Sequence, residues 1–299
     1  MDNEKAFDTV WHNGLIYKLI KLEFPANIIK LIHSFLTDRD FVLSIGFEVS
    51  QLHTIPAGVP QGSVLSPVLY NVFTHDIPDF GGCVRYQFAD DTAIASSSND
   101  PVEVTTNLNA SLLQYAAYCK KWKIKVNESK TEAIYFTRFR SSKKLPNRNL
   151  NFNGFEIPWR DEVKYLGLIL DKKLTFQKHC QYILEKCEKL VRIMYPFINR
   201  KSKLNIKNKI LLYKTIFRST LTYASTVWSE CALSHRKKLQ VFQNKCSKII
   251  HNLPQWFCTE ELHEISNIEM LDQYCNRIKT TYIQKCASSS FDVLRALSY

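Results

Sequence analysis

Near residue 172 the hydrophobic periodicity of the chain changes character, and this limits its fold more than any other feature. Before that point, short alternating runs rich in β-branched and aromatic residues are interleaved with helical repeats. From residue 175 the helical spacing holds almost throughout, with breaks expected at Pro196, at Asn252-Leu253-Pro254 and at Asn267. Mixed elements followed by a long helical run predict an α+β fold, with residues 1–172 as the mixed domain and 173–299 as an all-helical one. A chain of 299 residues can bury a sizeable core in each.

Within the first part, "HNGLIYKLIKLE" sets Leu15, Ile16, Leu19 and Ile20 at helical spacing, and "PANIIKLIHSFL" starts a second helix after Pro25. "FVLSIGFEVSQLHTI" reads as two strands around Gly46, and "SVLSPVLYNVFTHDI" as a helix capped by Ser63. "RYQFADDTAIASSS" reads as a half-buried apolar hairpin through Tyr86, Phe88, Ala93, Ile94 and Ala95. "DPVEVTTNLNASLLQYAAYCKKW" is a long amphipathic helix with Leu108, Leu112, Tyr115 and Cys119 on one side. "KTEAIYF", "LNFNGFEIP" and "VKYLGLILD" read as strands, the middle one bent at Asn153-Gly154. There is no internal repeat, and one short basic loop, "RFRSSKKLPNRN".

Charge is divided as sharply as periodicity. Residues 1–170 carry 18 basic and 18 acidic side chains, whereas residues 171–250 carry 18 against 4. Clustered Lys and Arg are rewarded by phosphates through counterion release, so a nucleic acid is the expected partner; a solvated Lys-rich surface is the plain alternative. The nine cysteines form no Cys-x-x-Cys pair, which suits a reducing compartment rather than a disulfide framework. "MDNEKAFDTV" is no signal peptide, and no apolar run reaches the ~20 residues of a membrane span. An intracellular place, in nucleus or cytoplasm, is expected, with no secretion and no membrane.

Two adjacent carboxylates, Asp90 and Asp91, interrupt the apolar hairpin. A turn explains them at least as well as a metal site while they are taken alone. Other pieces stand in order around them: Asp2 ahead of an amphipathic helix, then "PAGVPQGSVLSP", where Gly58, Pro60 and Gly62 impose an irregular backbone before a helix N-terminus. Lys130 follows in "NESKTEAIYF", and Gly167 in a strand, "YLGLILD". Phosphoryl transfer to a primer 3′-hydroxyl asks for two divalent ions ~3.5–4 Å apart. Mg²⁺ takes hard oxygen ligands, so carboxylates from different strands must converge. A turn would have no use for Asp2.

These residues carry a resemblance. The chain is similar to the reverse transcriptases of non-LTR (LINE-type) retrotransposons, most of all to the jockey-like group. "DNEKAFDTVWHNGL", "GVPQGSVLSPVLYNVF" and "QFADDTAI" resemble the family's first three catalytic motifs, and "NESKTEAIYF" and "VKYLGLILD" the fourth and fifth. "YKTIFRSTLTYASTVW" and "LQVFQNKCSKIIHNLP" resemble the thumb region that follows. The resemblance implies a right-hand polymerase palm, an antiparallel sheet with packed helices, followed by a helical thumb. It implies an RNA template, a DNA primer and deoxynucleoside triphosphates, and two Mg²⁺ ions for which Mn²⁺ is a substitute. Asp2 and Asp90 would hold the metals with Asp91 beside them, and Lys130 would give a proton to the leaving pyrophosphate. Phe7 would pack under the incoming sugar and exclude a ribose 2′-hydroxyl; Gln61 and Gly62 would line the nucleotide and template; Leu166 and Gly167 would grip the primer end.

Plainer readings stay open: Phe7 as core, Lys130 as a strand-edge gatekeeper, Gly62 as a helix-entry glycine. Viral RNA-dependent RNA polymerases look similar but usually carry a second Asp where this chain has Phe7, the Asp coming one later, at Asp8. Cys246, His251, Cys258 and His263 match no common zinc spacing. The chain starts at the first motif, so the resemblance describes a palm and thumb fragment without the fingers and endonuclease, cut from a longer frame or left by a truncated copy. Asp2, preceded only by Met1, is then expected to have almost no strand to pair with. A second function class follows: a catalytically incompetent remnant that only binds nucleic acid.

Overall fold

The structure is a computed structural model, and it describes residues 1–137 and 149–291. The basic loop "RFRSSKKLPNRN" lies outside the described residues except for Asn149. The chain forms two compact units, Met1–Arg160 and Asp161–Tyr299, dividing ahead of the change in periodicity.

The first unit mixes helices and strands. It opens with α1 (His12–Lys21) and α2 (Ala26–Leu36). Four two-residue strands follow: β1 (Asp40–Phe41), β2 (Ser44–Ile45), β3 (Glu48–Val49) and β4 (His53–Thr54). β2 pairs with β3 around Gly46, and β1 with β4 outside them, so the segment read as two strands is a nested pair of ladders. Next come α3 (Leu65–Thr74), β5 (Val84–Phe88), β6 (Asp91–Ala95) and α4 (Pro101–Trp122). The unit ends with β7 (Ala133–Ile134), β8 (Leu150–Phe152), β9 (Phe155–Ile157) and β10 (Trp159–Arg160). β5 with β6 and β8 with β9 are antiparallel hairpins, while β7 and β10 pair in parallel.

Helix α4 starts where Asp100 accepts the Val102 N–H at 2.9 Å and Pro101 fills the first position. It ends at Lys123 in the left-handed region. Its apolar side buries Leu112, Tyr115 and Cys119 as expected, with the Tyr115 ring against those of Phe80 and Phe152. Ser63 does not form the usual cap of α3. The helix follows Val64, and the Ser63 hydroxyl accepts the Leu65 N–H from one residue further out, at 3.2 Å.

The hairpin differs from its sequence reading in which face is covered. Gln87 pairs with Thr92 and Arg85 with Ile94, and this face turns inward, with Thr92 fully buried. Tyr86 and Phe88 share the other face and stand 55% and 65% exposed. Asp91, paired with Phe88, lies on that same open face.

The second unit begins with β11 (Glu162–Tyr165) and β12 (Leu168–Asp171). The single strand expected over "VKYLGLILD" is a tight hairpin: Leu166 (φ 46°) and Gly167 (φ 81°) form its two-residue turn. The Asp171 carboxylate accepts the N–H groups of Lys173, Thr175 and Phe176, ordering the way into α5 (Gln177–Ile198). Pro196 does not break α5, which runs on to Ile198 although the proline has no N–H to give to the carbonyl four residues back.

Then follow α6 (Ile206–Leu212), a π-turn over Tyr213–Phe217, α7 (Arg218–Leu221), α8 (Ser225–Trp228) and α9 (Leu233–His251). α10 (Thr259–Ser266) and α11 (Leu271–Ala287) complete the unit. Asn252 and Asn267 end α9 and α10 in the left-handed region, at the breaks the sequence marked. The core gathers Tyr213, Phe217, Trp228 and Leu239 with Cys180, Cys187 and Cys246. All nine cysteines are free, and burial pushes the Cys180, Cys187 and Cys246 thiols up to about 12, where they act as small apolar side chains.

Candidate active site

The site is built on the first four residues. Met1–Glu4 runs extended between β6 and the Lys125–Asn127 segment, although the sequence left it almost no strand to pair. The Thr92 N–H reaches Met1 O at 2.9 Å, the Asn127 N–H reaches Asp2 O at 2.8 Å, and the Glu4 N–H reaches Lys125 O at 2.7 Å. Asp2 forms an antiparallel bridge with Asp91, and Asn3 one with Val126. Pairing on both sides, rather than strand length, holds Asp2 in place.

Beneath it, the buried Asn3 side chain donates to the Tyr70 hydroxyl at 3.1 Å and accepts from the Tyr115 hydroxyl at 3.4 Å. Tyr70 comes from α3 and Tyr115 from α4, so one amide ties the Asp2 segment to two helices. The sequence reading missed Asn3, Tyr70 and Tyr115 in this role.

Asp90 and Asp91 arrive together through a constrained turn. Ala89 and Asp90 are the two residues between Phe88 and Asp91, and Ala89 takes φ 51°, a conformation usual for glycine. The turn and site readings of the Asp pair are thus compatible: Asp90 is in the turn, Asp91 opens β6. Asp2 comes alongside through the bridge. The Asp91 carboxyl is held above its usual range by burial first, then by the negative charges of Asp90 and Asp2.

Lys130 answers this field. Its ammonium lies 2.8 Å from the Asp2 carboxylate, and that hydrogen bond raises its pKa above the ordinary lysine value. It belongs to a 3₁₀ turn, Glu128–Lys130, and not to a strand, so the strand-edge reading does not describe it.

Phe7 is half-buried, its ring 5.0 Å from that of Tyr70 and packed against the core at one side. The core reading therefore describes this side of it. Gln61 and Gly62 are exposed in the loop ahead of α3. Gln61 donates to Asp8 Oδ1 at 3.0 Å, which brings the loop to the segment carrying Phe7. Gly62 takes φ 88°, which a side chain would strain. Leu166 and Gly167 lie in the second unit. There the Tyr223 hydroxyl donates to Leu166 O at 2.9 Å, and a Cβ on Gly167 would stand 3.0 Å from the Tyr223 ring.

Of Cys246, His251, Cys258 and His263, whose spacing matches no common zinc pattern, three are engaged elsewhere. Cys246 is buried in the core, Cys258 bonds Glu260, and the His263 nitrogens face Ile268 O and Asn244. Among the described residues no three His, Cys, Asp or Glu side chains are already gathered as a metal cage. The Asp2, Asp90 and Asp91 oxygens nonetheless suit a hard divalent cation, and their mutual repulsion, which lifts Asp91, is what such a cation relieves.

Lys18 is a second residue the sequence reading missed. It is buried between Leu15 and Leu19, with its ammonium bonded to Asp76 at 2.5 Å and to the Tyr118 hydroxyl at 3.0 Å, and 3.7 Å from the centre of the Trp122 ring. Burial lowers its pKa to about 8. Its place in the apolar stripe of α1 was the available signal, and its role is structural.

The first unit is a mixed helix-and-strand domain that brings carboxylates together at its start, and comparison with known families gives the class: the chain belongs to the reverse transcriptase (RNA-dependent DNA polymerase) family, whose profile matches residues 1–170. Among individual relatives it is similar to the probable RNA-directed DNA polymerase from transposon BS of Drosophila melanogaster, at 34% identity over 291 residues, 94% of this chain and 32% of that protein. It is also similar to the RNA-directed DNA polymerase from mobile element jockey of Drosophila melanogaster, at 32% identity over 95% of this chain and 31% of that protein. The jockey polymerase of Drosophila funebris matches at 31% identity over 99% of this chain and 33% of that protein. The chain thus spans about a third of the length of the curated relatives it matches. The likeness to non-LTR, jockey-type elements read from the motifs is borne out. No helix among the described residues is long and apolar enough to cross a membrane.

Proposed function

We propose that this chain is the palm and thumb of a mobile-element RNA-directed DNA polymerase, extending a DNA primer on an RNA template with deoxynucleoside triphosphates. The palm would be the mixed part, residues 1–172, and the thumb the basic helical part, residues 173–299, working within the cell in nucleus or cytoplasm. The observation that carries this reading is the Asp2–Asp91 bridge, which unites carboxylates far apart in sequence.

Asp2 and Asp90 would hold two Mg²⁺ ions, or Mn²⁺ in their stead, with Asp91 in support. Bound there, the ions supply acidification of the primer 3′-hydroxyl and neutralisation of the leaving pyrophosphate. Lys130, kept protonated beside Asp2, is the proton source for the leaving group. Phe7, its ring packed on that of Tyr70, would be the bulk that a ribose 2′-hydroxyl meets. Gln61 and Gly62 offer an exposed, irregular backbone to nucleotide and template. Leu166 and Gly167, pinned by Tyr223, fit the primer grip.

The alternative is a remnant that binds nucleic acid without chemistry. It draws on the 18-to-4 basic excess of residues 171–250.

Primer extension on an RNA template with Mg²⁺ separates the two. Extension with deoxynucleotides and not ribonucleotides is expected, stopped by chelation and reduced at least ~10³-fold in Asp90→Asn. Salt-sensitive binding of a hybrid duplex with no extension would favour the remnant.

A further inference from the structure

The loop carrying Gln61 is fixed at one end with unusual completeness. Both polar backbone groups of Gly58 point at residues 7–12 or at Arg39. Its N–H donates to Val10 O at 2.8 Å, and the neighbouring Val59 N–H donates to Phe7 O at 2.7 Å. Its carbonyl accepts twice, from His12 Nε2 at 2.8 Å and from an Arg39 guanidinium nitrogen at 2.7 Å, which uses both lone pairs. The Arg39 Nε donates to Leu36 O at 3.1 Å, so the guanidinium is itself anchored to the end of α2. Gly58 takes φ 92°, and a Cβ there would stand 2.6 Å from Asp8 O, so no other residue fits this approach.

The far end is different. Gln61 and Gly62 are exposed, and nothing lies within 4 Å of where a Gly62 Cβ would be. There the Gln61 amide is tethered to Asp8 Oδ1 at 3.0 Å. Because the NH₂ group is used in that bond, the Gln61 carbonyl oxygen is left as an acceptor for a ligand donor.

We infer that Asp8, His12 and Arg39 are positioning residues that clamp the loop to the segment behind Phe7 and orient Gln61 as an oxygen acceptor for a hydroxyl or amino donor of the incoming nucleotide. The inference rests on the polymerase reading for the identity of that ligand, but the clamp is testable without it. His12 and Arg39 fix where the loop starts. Asp8 decides which way Gln61 faces. All three act through the loop and touch no reacting atom.

The test uses the full chain labelled with ¹⁵N-glutamine, the Gln61 side-chain signal being assigned by its loss in Gln61→Glu. In Asp8→Ala the Gln61 NH₂ pair should move to the position of a free glutamine, and in Asp8→Asn, which keeps an oxygen acceptor, it should stay. Hydrogen exchange at Gly58 and Val59 should quicken at least ~10-fold in Arg39→Ala and in His12→Ala, with α4 unchanged. In primer extension, Asp8→Ala should raise the deoxynucleotide KM roughly 3–10-fold with kcat within about twofold, and the Asp8→Ala/Gln61→Ala double variant should be no worse than Gln61→Ala. An unmoved Gln61 signal in Asp8→Ala, or additive KM effects, would overturn the inference. If the unaltered chain extends no primer, the amide shift and the exchange rates still decide the clamp, and the polymerase reading fails by itself.

Discussion

The two units spend their polar residues in different ways. In the first, charged groups converge: Asp2, Asp90, Asp91 and Lys130 meet at the ends of short segments, and the backbone of the same unit takes positive φ at Gly58, Gly62 and Ala89. In the second, charge is spread over helix surfaces. Between Glu188 and Glu230 the chain has nine Lys and Arg and no carboxylate side chain, while the interior is filled by aliphatic and aromatic side chains and cysteines, with the neutral His179 and one buried lysine, Lys209. Convergent opposite charges at strained turns suit chemistry on a small group of atoms. A diffuse field of one sign suits a long polyanion, whose position need not be fixed to an ångström.

The largest expected effect that would break this contrast concerns His179, the one polar side chain of the second unit's core whose charge state pH can reach easily. Its Nδ1 accepts the Ile169 N–H at 3.3 Å, its Nε2 is buried without a partner, and its ring packs 5.9 Å from Trp228. Burial lowers its pKa from 6.5 to about 4. The folded state thus resists a proton that the unfolded state accepts. The stability is whole above pH 6.5, falls as pH drops from 6.5 towards 4, and then levels for this group. The loss should total about 3 kcal/mol, measured by urea unfolding at stepped pH with tryptophan fluorescence. His179→Gln should flatten that window. A flat profile in the unaltered chain would mean that the second unit's core tolerates charge after all.

A somewhat smaller effect sharpens the contrast from the surface. Lys201, Lys203 and Lys207 are exposed in the acid-free stretch. Replacing all three by Glu should weaken binding of an RNA–DNA hybrid by roughly 30-fold near 0.1 M salt and lower the slope of log K against log salt by about 3. Asp90→Asn should leave that slope unchanged. If the triple variant binds as before, the basic excess is only a solvated surface.

How much of this was legible in the sequence depends on the range of the interaction. Elements whose signal is local were read well: α4 from its apolar stripe, the ends of α9 and α10 from Asn252 and Asn267. The order of the motifs carried the family. What failed was decided by pairing at a distance or by a single turn. Leu166-Gly167 looked like strand interior because the run is apolar on both sides, and only a left-handed turn, held by Tyr223 from the distant turn between α7 and α8, makes it a hairpin. Tyr86 and Phe88 looked half-buried because alternation says which residues share a face, not which face α4 covers. Asn3 gave no local signal of its role and Lys18 only its place in the apolar stripe of α1, since their partners Tyr70, Tyr115, Asp76 and Tyr118 are reached only through the fold.

The smallest effect tests whether strain in the first unit belongs to its function. Ala89 sits at φ 51° beside Asp90, where glycine would be relaxed. Left-handed backbone costs a non-glycine residue about 1–2 kcal/mol, and the extra freedom of an unfolded glycine takes back part of that. Ala89→Gly should therefore raise stability by about 0.5–1 kcal/mol, a shift of a few degrees or less in Tm. The informative readout is primer extension in the same preparation. A stabler chain that extends more slowly would mean that the stiff alanine turn holds Asp90 at its working place, and that the turn is kept strained for the site. A stabler chain that extends as well as before would make the strain incidental and leave the Asp2–Asp91 bridge as the feature that sets the carboxylates.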